Sequence, residues 1–144
     1  MSTSFVQPAL KAASAAVMGV GLVVAIAAYP ATSAVTNILA DLIYWPFDGR
    51  QAVDTHTARL LAAIGGGVMF GWGVLLWQLA TQVFAKDPML AASLIRTSVL
   101  AWFVVDCVCS VLAGAYLNIV LNIGFLAMFL LPLAQLKRNG HVAA

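Results

Sequence analysis

The chain has 144 residues, of which only 12 are charged: seven Lys or Arg and five Asp, with no Glu. Charged residues make up 8% and hydrophobic residues 63%, with a mean hydropathy of +1.00, whereas about a quarter of an average soluble domain is charged. Twelve charges cannot cover the surface of a soluble domain this small, disorder needs the opposite composition, and a net charge of +2 without a basic stripe excludes nucleic acid as a partner.

These exclusions leave an integral membrane protein whose main partner is the lipid bilayer. A helical span needs about 20 predominantly apolar residues, and four segments qualify: residues 10–29, 58–85, 88–113 and 116–136. The expected fold is an all-α bundle of four transmembrane helices in one domain, residues 1–144. A β-barrel is excluded because the apolar runs are continuous rather than alternating.

The first segment follows Lys11 and ends at Pro30. A cleaved signal peptide is the alternative reading, but the uncharged stretch runs on to Ala40 and favours a retained span. Residues 30–57 then form a long loop. Within it, Val35, Ile38, Leu39, Leu42 and Ile43 recur with helical spacing while Asn37 and Asp41 fall off that stripe, which predicts a short amphipathic helix. Tyr44, Trp45 and Phe47 add an interfacial aromatic cluster. The loop reads either as an anchored connector or as a cover over a pocket on that side.

Segment two carries Gly65, Gly66, Gly67, Gly71 and Gly73. Ala63, Gly67 and Gly71 lie four apart and predict a small-residue seam for close helix packing, matched in segment one by Ala12, Ala15, Ala16 and Gly19. Such seams also suit a homo-oligomer or a larger membrane complex. Segment three opens with Asp87-Pro88, a cap followed by a first-turn proline. Gly114 marks a tight turn into segment four, which contains Pro132.

Asp106 is the one charge between Thr97 and Leu136, about seven residues, or ~10 Å, inside the end of segment three. Inserting a charge at the middle of a span costs about 2.5–3.5 kcal/mol on translocon scales, which marks such a residue as a candidate functional site. Trp102 and Ser110 share its helical face, and Asn118 and Asn122 share a face of segment four. The tight turn places Asn122 at the depth of Asp106. Arg59, at the same end of segment two, is expected to reach toward it. The candidate polar cluster is therefore Arg59, Asp106, Asn118 and Asn122. It reads as interhelical hydrogen bonding, as a proton-linked or ligand-binding site, or as a contact with a partner subunit. Arg96 is expected to snorkel to the headgroups, and the four tryptophans are expected to serve packing and belt roles.

No catalytic grouping and no metal-ligand spacing is present: His56 and His141 fall on opposite sides of the membrane, and Cys107 and Cys109 are not a CxxC pair. No cofactor is implied by a motif, although a quinone or lipid fits between helices. Lys11, Lys86, Arg96, Lys137 and Arg138 outnumber Arg50 and Arg59, which puts both termini in the cytoplasm.

Four spans, a long first loop, an Arg opening ARLLAAIGGGVMFGWGVLLW and a tight turn into LNIVLNIGFLAMFLLPL resemble the small bacterial four-helix membrane proteins of the DoxX-like type, over residues 58–133. The resemblance implies a bacterial inner-membrane location and an association with quinone-linked or thiol redox systems. It carries over no catalytic residue. Three functions follow as expectations: a non-enzymatic accessory or self-associating subunit, a redox-associated subunit holding a quinone or lipid near Asp106, and a small proton-coupled carrier. Small multidrug exporters share the span number but keep their carboxylate in the first span, where this chain has none.

Overall fold

A computed structural model describes residues 3–140. The side chains of Lys137 and Arg138, two of the five basic residues that orient the chain, and His141 lie outside the described residues. Four helices are long and apolar enough to cross a membrane. They are α1 (Thr3–Ile26), α3 (His56–Lys86), α4 (Pro88–Leu112) and α5 (Tyr116–Gly140), with the short α2 (Ala34–Ile43) between the first two. At 1.5 Å per residue, the 31 residues of α3 span about 46 Å, more than the ~30 Å hydrocarbon core, so α3 tilts or projects.

The local chemistry of each terminus explains these limits. α1 stops at Ile26, short of Pro30, because the amides of Ala27, Ala28 and Tyr29 bond back to residues three earlier and tighten the last turn. Thr55 caps α3 by accepting the amide of Ala58 at 3.0 Å. Asp87 caps α4 by accepting the amides of Met89 and Leu90. Gly114, at φ +74°, makes the turn into α5, where a side chain would meet the left-handed penalty. Toward its end α3 passes through a π-helical turn, Leu79–Val83. There the Thr81 hydroxyl donates to the Trp77 carbonyl, and Gln7 of α1 reaches across to donate to the Ala80 carbonyl at 3.0 Å. A residue inserted into the helical ladder frees carbonyls that need such partners.

α1 is central, packing along α3 on one side and against α5 on the other, while α5 also packs on α4. The backbones of α3 and α4 come closest around the π turn and the elbow at Lys86–Pro88. The tightly buried core sits at this elbow end, where Leu10, Leu76, Ala80, Ile95, Val99, Phe129 and Leu133 interlock. Toward the α2 end, α3 and α4 diverge and leave a cleft.

The glycine seam differs from the expected one. Gly67 and Gly71 are exposed, and a Cβ on either would meet nothing within 4 Å. Gly66 is the packing glycine: a Cβ there would lie 2.6 Å from the Gly21 carbonyl oxygen and against the Ala25 backbone. Gly73 meets Met18 in the same way, and Gly21 meets Phe70 and Gly66. On α1 the expected Ala12, Ala15 and Gly19 also face outward. The seam is rotated by about one residue, or ~100° of helix. Ala62, Gly66, Gly73 and Leu76 repeat at helical spacing as well as Ala63, Gly67 and Gly71 do, and the larger neighbours Leu76 and Val17 decide which stripe turns inward.

α2 presents its polar face to the protein. Thr36 and Asp41 are buried, while Val35, Ile38 and Leu42 are exposed, as suits an apolar face turned to an interface. Thr36 donates to the Val23 carbonyl at 3.1 Å and ties α2 to α1. Asp41 gathers the amides of Gly49 at 2.8 Å and Arg50 at 3.2 Å, and Asn37 accepts that of Val53 at 2.8 Å. The φ of +75° at Gly49 turns successive amides toward one carboxylate. The loop is thereby organised around α2 rather than hanging as a tether.

Candidate functional site

Asp106 lies on the last two turns of α4, Ser110 one turn further on, and Asn118 and Asn122 on the first two turns of α5. Because the Gly114 turn makes α4 and α5 antiparallel neighbours, these side chains converge. Asn118 Nδ2 donates to Asp106 Oδ1 at 2.8 Å, Asn122 Nδ2 to the same oxygen at 2.9 Å, and Ser110 Oγ at 3.1 Å. Asn118 Nδ2 also donates to Ser110 Oγ at 2.9 Å, and Asn122 Nδ2 points at Cys107 Sγ at 3.7 Å. Asn122 is buried, and Asp106 and Asn118 are half-buried. Three donors on one carboxylate oxygen are strong compensation for a polar group placed in a span.

Arg59 does not join this cluster. Among the described residues it forms neither a salt bridge nor a hydrogen bond with Asp106, and its buried Nε has no partner. Its helix diverges from α4 at this end, so the cleft separates the two. The ion pair that is present among the described residues, Arg50 with Asp48 at 3.3 Å, is out on the loop.

Two cavities meet at Asp106. One, of about 810 Å³, lies against α4 and α5 and is lined by Ile43, Tyr44, Trp102, Asp106, Cys109 and Asn118 among others. The second, of about 530 Å³, occupies the α3–α4 cleft and is lined by Gly65, Val68, Met69, Trp72, Ser98, Trp102 and Asp106. Both open sideways onto the bundle surface, since their lining residues Val105 and Val68 are 64% and 68% exposed. The C-terminal end of α2, through Ile43 and Tyr44, forms a wall of the first cavity.

Below Asp106 the cleft has an aromatic floor. Trp72 Nε1 donates to Ser98 Oγ at 2.8 Å, and this bond joins α3 to α4. The rings of Trp72 and Trp102 lie 5.6 Å apart, and Phe125 of α5 meets Trp102 edge-on at 6.4 Å. Sequence reasoning missed this floor. The i, i+4 spacing of Trp102 and Asp106 was the available signal, but Trp72 joins them only through the packing of α3. Trp77 is used elsewhere, with Lys11 Nζ 5.0 Å from its ring centre.

Among the described residues no group of His, Cys, Asp or Glu is placed to hold a metal ion. The arrangement is a carboxylate, held by neutral donors, at the head of an apolar and aromatic cleft. Comparison with known proteins finds no matching family model, no matching curated protein and no matching solved structure.

Proposed function

We propose that this multi-pass membrane protein is a binding protein for a lipid-like molecule. The polar head would sit beside Asp106, and the apolar body would lie in the α3–α4 cleft. One observation carries the reading: Asp106 lines both cavities while its Oδ2, among the described residues, accepts no hydrogen bond. Ligand pockets in proteins are largely apolar with a few placed polar groups, and this cleft has that composition. The DoxX-like resemblance puts quinones in the same ligand class. The excess of basic residues at the terminal end supports cytoplasmic termini, and the DoxX-like resemblance supports a bacterial inner membrane.

Gly65 offers a clean test, because it lines the cleft and a Cβ there meets nothing within 4 Å. Gly65→Leu should therefore fill the cleft without disturbing the bundle. Protein purified from native membranes should yield an extractable lipophile enriched over the bulk lipid, and Gly65→Leu should lose it. An extract matching bulk lipid for both proteins removes the proposal.

A second reading, self-association, is favoured by the outward stripe of Gly67 and Gly71, which the bundle itself leaves uncovered. Gly67→Leu with Gly71→Leu should lower the oligomeric state while the monomer stays folded. An unchanged state counts against it.

A further inference from the structure

We infer that the molecule bound beside Asp106 carries a cationic, hydrogen-bond-donating head, such as a primary ammonium on an apolar body. This rests on the binding reading above and narrows it.

The hydrogen-bond inventory decides the chemistry. A side-chain amide has two N–H donors. Those of Asn118 go to Asp106 Oδ1 and Ser110 Oγ, and those of Asn122 to Asp106 Oδ1 and Cys107 Sγ. The Ser110 hydroxyl is also committed to Asp106. What the cluster still offers to the cavities is acceptors: Asp106 Oδ2 and the amide oxygen of Asn118. A quinone carbonyl or a phosphate needs donors beside the carboxylate, where the cluster has none to spare; the donors elsewhere in the first cavity's lining include the Tyr44 hydroxyl and the Trp102 indole.

Charge points the same way. Among the described residues neither cavity is lined by a Lys or Arg, and Asp106 is the one formally charged residue lining either. Its three partners are neutral, so its formal charge within the span has no counter-ion among the described residues. A ligand cation would supply one where the surrounding dielectric makes the pairing strong. Tyr44 and Trp102 line the same cavity, and aromatic faces attract ammonium groups.

The test compares three probes of equal chain length, decylammonium, decanol and decylubiquinone, titrated into the purified full chain in dodecyl maltoside micelles. Tryptophan fluorescence provides the readout, since Trp72 and Trp102 line the cleft. Wild-type protein should bind decylammonium about tenfold or more tightly than decanol, the scale of one charge-assisted hydrogen bond. Asp106→Asn should abolish that preference, while Asp106→Glu should retain it. Because the ammonium–alcohol comparison is made within the wild type, it stands even where a variant fails to fold. Decanol or decylubiquinone binding as tightly as decylammonium would overturn the cationic head and leave the lipophile reading intact. Binding of no probe would remove both.

Discussion

Replacing Gly66 by Ala introduces one methyl group where two helix backbones touch. Its Cβ would lie 2.6 Å from both the Gly21 carbonyl oxygen and the Ala25 Cα. Carbon atoms at rest sit about 3.5–4.0 Å apart, so α1 and α3 would have to separate by roughly 1 Å. Both obstacles are backbone, and no side chain can swing aside. Overpacking of this kind costs about 1–3 kcal/mol. The upper half of that range is expected here, because the seam runs through Gly21, Gly66 and Gly73 and a shift at one position loosens the others. Gly67→Ala adds the same methyl to open space, with nothing within 4 Å. It should be neutral or slightly stabilising, since Ala favours helix over Gly by up to about 1 kcal/mol. Reversible unfolding in mixed micelles, followed by circular dichroism, measures both. Equal losses for the two variants, or a neutral Gly66→Ala, would refute the rotated seam.

Three further outcomes follow from the same geometry. Asn122→Leu removes one of the donors on Asp106 Oδ1 and should cost about 1–3 kcal/mol in the same unfolding assay, whereas Asn118→Leu, at a half-buried position, should cost less. A larger loss at Asn118 would invert the burial argument. Asp41→Ala should release the amides of Gly49 and Arg50, so their hydrogen exchange should quicken while that of α3 and α4 stays slow; unchanged exchange would mean the loop is held by other contacts. Gly114→Ala places a side chain at φ +74° and should destabilise the bundle by about 1–2 kcal/mol, with no loss indicating that the turn rearranges freely.

The spans were legible because lipid imposes long uncharged runs, and four of them stand out between few charges. The meeting of Asp106 with Asn118 and Asn122 was legible too. Gly114 forces an antiparallel return, so depth along one helix maps onto depth along the next. Arg59 was not, because the distance between α3 and α4 depends on where their packing ends, and no spacing in the chain encodes that divergence. The glycine seam was ambiguous for a related reason. A run of three glycines, Gly65 to Gly67, supports more than one small-residue stripe, and only the bulk of neighbouring side chains selects one. α2 was predicted from its apolar stripe, but the stripe alone did not say that Thr36 and Asp41 would turn inward. The loop amides of Gly49 and Arg50 supply that reason for Asp41 and the Val23 carbonyl of α1 supplies it for Thr36, and both partners lie outside α2.

The central claim is that the Asp106 cleft holds one lipophilic molecule. Native mass spectrometry of the intact 15.1 kDa chain, released from micelles after purification from native membranes, measures this directly. A single bound adduct is expected on the wild-type chain, absent from Gly65→Leu and weakened in Asp106→Asn. A wild-type chain that carries no adduct, or an adduct equally abundant on all three proteins, would contradict it.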